Sequence, residues 1–72
     1  GEIIIFSNSS SDINDFINEN NSSLFLVSSF NSYSVVKVRN IDQINFIFEQ
    51  LLKDKRFIGA QLNSINPYLS VH

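Results

Sequence analysis

The chain of 72 residues carries no Cys, a single His at position 72 and a formal net charge of −2. That length allows one domain, which alone buries only about 60% of the surface its unfolded chain exposes. The composition argues against disulfides, thiolate or internal His-based metal sites and a membrane span, and 5 Lys plus Arg are too few for a domain held on nucleic acid by phosphate contacts.

Glu2–Ser7 opens with Ile3, Ile4, Ile5 and Phe6, a β-branched run that stops at polar residues and predicts a buried strand. Ser9–Asp12 supplies N-cap candidates ahead of Ile13, Phe16 and Ile17, whose i, i+3, i+4 spacing sets them on one face of a short helix. The Asn-rich segment Asn18–Ser23 ends it. The sequons at Asn8, Asn20 and Asn21 read as turn and cap residues. Leu24–Phe30 is the second strand, Asn31–Ser32 the turn and Tyr33–Arg39 the third strand, close enough to pair as a hairpin. Asn40 caps the clearest helix, with Gln43 at the capping-box position. Ile41, Ile44, Ile47, Phe48, Leu51 and Leu52 form its apolar stripe. Lys53, Lys55 and Arg56 follow, where cations complement the helix dipole and stay solvated. Phe57–Asn63 is the fourth strand, with Ile58, Ala60 and Leu62 alternating against Phe57, Gly59 and Gln61. Pro67 interrupts further pairing, which divides the chain into a domain over 1–65 and an extended tail over 66–72.

The order β-α-β-β-α-β is the ferredoxin-like arrangement, an α+β sandwich. Right-handed crossovers put both helices on one face of a four-stranded antiparallel sheet. The first two strands carry apolar side chains on both sides of the pleat, whereas a sheet with one solvated face alternates apolar and polar. An uncovered apolar face follows, and such a face marks an interface. A foreign partner, a second copy of the chain and a merely apolar monomer surface all remain open at this point.

Catalytic devices find no foothold in the sequence. A nucleophile–base pair needs a positioned base, and only His72 is offered. Glycines at positions 1 and 59 alone cannot write a P-loop or a dinucleotide-binding turn, so no cofactor is expected. Asp12 and Asp15 lie one helical turn apart, but acids at helix starts are mostly cap and dipole residues. Phe6, Tyr33 and Phe57 are not set in the aromatic-basic motif of an RNA-recognition sheet. The expectation is a binding module that is not an enzyme.

The layout resembles the propeptides of subtilisin-type serine proteases, most of all in its second half. A strand with Val35, Val36 and Val38 leads to an amphipathic helix ending Leu51-Leu52-Lys53-Asp54, then to the basic link Lys55-Arg56. The strand Phe57-Ile58-Gly59-Ala60-Gln61-Leu62 follows, and Asn66-Pro67-Tyr68-Leu69-Ser70-Val71-His72 ends the chain. The resemblance covers nearly the whole chain and rests on pattern and length. It implies an intramolecular chaperone and product-like inhibitor whose partner is a subtilisin-like catalytic domain, with secreted or spore-associated placement, and without nucleic acid or membrane as a partner. The docking face would comprise Phe25, Val27, Ser29, Asn31, Tyr33 and Val35. The tail residues Leu69, Ser70, Val71 and His72 would enter the active-site cleft as an added strand. One departure concerns the acidic residue with which many members cap two protease helices: Ser28–Ser34 is neutral here and offers Ser29, Asn31 and Ser32 instead. The alternative is a stand-alone ferredoxin-like interaction or regulatory domain.

Overall fold

A computed structural model of the chain describes residues 1–63. The predicted tail over 66–72, with its four cleft residues, lies outside the described residues. Seven elements follow in chain order: β1 (Glu2–Phe6), α1 (Ser10–Glu19), β2 (Leu24–Ser29), β3 (Tyr33–Val38), a 3-10 turn (Ile41–Gln43), α2 (Ile44–Lys53) and β4 (Gly59–Asn63). The strands form one antiparallel sheet in the order β2-β3-β1-β4. This is the α+β ferredoxin-like arrangement expected from the sequence.

The pleat of the central strands decides which side chains are inside. On β1, Ile3 and Ile5 are fully buried beneath the helices, while Ile4 and Phe6 point the other way. On β3, Ser34, Val36 and Val38 take the inner side, opposite Ile5, Ile3 and the first residue of β2, Leu24. Leu24 closes the sheet side of the core, and the helices contribute Ile13 and Phe16 from α1 and Ile47 and Leu51 from α2. Phe57, in the link before β4, meets Phe16 edge-to-face at 5.5 Å. That ring is held in the link, so β4 starts two residues later than the alternation of the sequence implies, and Ile58 is left exposed.

The helix starts follow side-chain capping. Ser9 accepts from the Asp12 N–H at the head of α1, and the buried Ser7 Oγ donates to the Ser9 carbonyl while accepting from the Ser9 N–H. Asn40 accepts from the Asp42 N–H (3.0 Å), but it caps a 3-10 turn and not α2 directly, and Gln43 makes no reciprocal capping bond. That extra tight turn rotates the end of the apolar stripe away from the core. Ile47 and Leu51 are buried, Ile44 and Phe48 pack on their edges, and Ile41 and Leu52 are more than half exposed.

The basic segment after α2 departs from the solvated role expected of it. Lys53 does sit in the last helical turn, but Arg56 is a clamp. Its guanidinium donates to both oxygens of Glu19 at the end of α1 (3.0 Å each) and to Asp54 (2.7 Å at the closest). It also lies 5.4 Å from the Phe57 ring centroid and 5.9 Å from that of Phe16. Planar guanidinium suits this forked, ring-covering position. Hydrogen bonding from Arg56 holds the Asp54 carboxyl below its usual range, against the opposing effect of burial.

Arg56→Met should cost about 1–2 kcal/mol, the sum of a partly exposed ion pair and a cation–π contact. Because the Asp54 pKa is lowered on folding, its contribution is fully present above the unfolded carboxyl value near 3.8 and is lost as pH falls through the lower folded value. Urea melts at neutral pH and at pH 2–3 should therefore show the gap between variant and parent narrowing in acid; a gap that widens in acid would contradict the clamp.

Candidate docking face

The side of the sheet away from the helices has no covering element among the described residues. Register places on it Glu2, Ile4 and Phe6 of β1, Tyr33, Val35 and Lys37 of β3, and Gln61 of β4. Apolar groups fill its centre and the end nearest the hairpin turn. Glu2, Lys37 and Asn63 collect at the opposite end, where the Asn63 Nδ2 donates to the Glu2 carboxylate (3.0 Å).

Three aromatic rings run across the turn end of this face. Phe30 stacks on Tyr33 with centroids 4.6 Å apart, and Tyr33 leans on Phe6 at 6.3 Å. The hairpin that presents them closes through Asn31 and Ser32, with the Phe30 N–H donating to the Tyr33 carbonyl (2.8 Å). The turn is tied down from below by the Ser7 N–H, which donates to the Ser32 carbonyl. Further along β2, Phe25 is exposed on this side and carries the Arg39 guanidinium 4.8 Å above its ring. Arg39 in turn donates from Nε to the Asn21 carbonyl, which fixes the cation beside the aromatic edge.

A β-bulge in β2 redistributes the residues expected here. Leu26 pairs with Val36 and Ser28 with Val35, leaving Val27 as the extra residue between them. A bulge shifts the alternation of everything beyond it. Phe25, Tyr33 and Val35 accordingly lie on the open face as expected, and Asn31 sits exposed in the turn. Val27 is exposed on the bulge itself. Ser29 is displaced to the helix side, where its Oγ meets that of the buried Ser34 at 3.2 Å, and Ser28 takes its place on the open face. Of the apolar residues on the face, Ile4, Phe6 and Phe30 were not among the docking residues expected from the sequence. The unbroken apolar run of β1 already carried the signal for the first two.

The other surface features are modest. An open cleft of about 490 Å3 lies at the polar end of the sheet, between the start of β1, the end of β4 and the first turn of α2, lined in part by Ile41, Ile44 and Leu62. A shallower one lies between α1 and α2 around Arg56. Among the described residues no three His, Cys, Asp or Glu side chains gather as a metal site, and no helix is long and apolar enough to cross a membrane. Asp12 occupies the first turn of α1, where the macrodipole favours an acid. Comparison with protein-family models, with curated proteins and with solved structures finds no match to this chain.

An exposed aromatic contributes little to the fold that carries it. Phe30→Ser, at a position 53% exposed, should lower stability by about 1 kcal/mol, mostly the lost stacking on Tyr33. Leu24→Ala, which removes a fully buried side chain, should cost about 3 kcal/mol. Denaturant midpoints of the two variants check the contrast; equal losses would mean that the aromatic run belongs to the core.

Proposed function

We propose that this chain is the prodomain of a subtilisin-like serine protease, acting as an intramolecular chaperone and then as a product-like inhibitor. The observation that carries the proposal is the uncovered sheet face, whose apolar centre and turn-end aromatics exceed what a solvated monomer surface needs. Its four-stranded antiparallel frame suits docking against a partner with little rearrangement. The resemblance of the sequence to such prodomains, noted above on its second half, supplies the identity of that partner.

In this role the face around Phe6, Phe25, Phe30, Tyr33 and Val35 packs against the catalytic domain. Asn31 and Ser32, exposed at the hairpin turn, are available as neutral caps for helix N-termini of the protease. Ser29 is engaged with Ser34, so the hydroxyl contributed on the docking side is that of Ser28. The segment assigned to the active-site cleft, residues 69–72, lies outside the described residues. Binding of the folded domain by the protease stabilises it by mass action, which fits a short chain with no disulfide. None of these tasks asks the domain for a catalytic group of its own.

The test is inhibition of a subtilisin-type protease by the isolated chain. The intact chain should inhibit at a defined stoichiometry. Deleting Leu69–His72 should abolish inhibition while leaving measurable docking by calorimetry, and Phe30→Ser with Tyr33→Ser should weaken both. Full inhibition by the truncated chain would overturn the cleft mechanism. Absence of any binding to subtilisin-type catalytic domains, with the fold intact, would favour a stand-alone interaction domain.

A further inference from the structure

The two edges of the sheet are not alike. The β2 edge is kinked by the bulge at Val27, a device that spoils a straight run of strand-pairing groups. The β4 edge has no such protection. Gly59–Asn63 pairs in unbroken register with β1 on one side, and on the other no described strand takes up its outward N–H and C=O groups. Its residues, Gly59, Ala60, Gln61, Leu62 and Asn63, include no charge and no proline, the two side-chain features that most often discourage pairing at an edge.

Above this edge runs an apolar flank of α2. Gln50 and Lys53 border the cleft shared with Phe16 and Glu19 of α1, so that side of α2 faces its sister helix. By the 3.6-residue period the opposite side carries Phe48 and Leu52, with Ile41 continuing it into the 3-10 turn. Ile41 lies beside Leu62 at the end of β4. Ile41, Leu52, Ile58 and Leu62 are 58%, 55%, 67% and 37% exposed. A strand edge that no described strand takes up and an uncharged apolar helix flank thus share one side of the molecule.

We infer that this side pairs with a second copy of the chain, β4 against β4 in antiparallel register about a two-fold axis. Centred on Gln61, the pairing uses all five residues of the strand. It sets Gly59 opposite Asn63 and Ala60 opposite Leu62 of the second copy, which covers the exposed leucine on the helix side. The two Gln61 side chains meet at the axis, where amides donate and accept equally well. A self-pairing surface must not repel itself, and neither β4 nor the row Ile41, Phe48, Leu52 carries an ionised group. The contact is short, so the dimer belongs to the weak, concentration-dependent class. It does not rest on the prodomain reading, whose docking residues lie on β1, the hairpin strands and their turn.

Sedimentation of the full chain from micromolar to submillimolar concentration should show the mass rising from 8.2 kDa toward twice that value. The absence of native Cys permits a sharper probe. Gln61→Cys should form a disulfide-linked dimer in high yield under mild oxidation, because opposed residues of an antiparallel pair fall within disulfide reach. Asn14→Cys, exposed on α1, should cross-link only at the slow collisional rate. Gln61→Lys and Leu52→Lys, both at exposed positions, should each weaken dimerisation several-fold while leaving the circular dichroism spectrum unchanged. A chain that stays monomeric throughout, or cross-links no faster at 61 than at 14, would overturn the inference, including the case in which another part of the chain covers the edge.

Discussion

Everything in this domain depends on the burial of one strand. β1 is bonded to β3 on one side and β4 on the other, and its Ile3 and Ile5 are wholly withdrawn from water beneath both helices. Every other element reaches the core through contact with that pair or with the residues beside it. The mean pull of each buried aliphatic is about 1.5–3 kcal/mol, and with no Cys in the chain no disulfide adds to it. A short chain so constructed is folded by a handful of side chains, and loss of one is a large fraction of the total.

Around that strand the polar groups act as fasteners between elements distant in sequence. Ser7 ties the end of β1 both to the head of α1 and to the hairpin turn. Arg56 joins the end of α1 to the link that follows α2 while covering the edges of two core aromatics. Both hold the ends of the helices in place over one side of the sheet, and among the described residues no element covers the other. That division leaves the aromatic run uncovered among the described residues.

The order of elements and most of the core were legible from periodicity, because Ile13, Phe16, Ile47 and Leu51 sit at helical spacing and Ile3 and Ile5 at strand spacing. The uncovered face was legible for a related reason: a run such as Ile3–Phe6 is apolar at every position, and a one-sided sheet has no use for the outer half. The same uniformity hid the bulge. Leu26 and Val27 are both apolar, so nothing in their pattern sets register, and Ser29 was assigned to the wrong side of the sheet. The clamp at Arg56 was hidden by distance, since its partner Glu19 lies 37 residues earlier. The 3-10 turn before α2 escaped because Asn40 announces a helix start without stating how tightly the first turn is wound.

The extra residue at Val27 has a consequence for growth. Two straight edges on one small sheet would let copies add head to tail, β2 of one to β4 of the next, and such a heterologous contact has no reason to stop. With one edge kinked, the like-to-like β4 contact inferred above is favoured over that chain of contacts, and a two-fold axis uses it up. On that inference a single inserted valine favours finite assembly over open-ended growth.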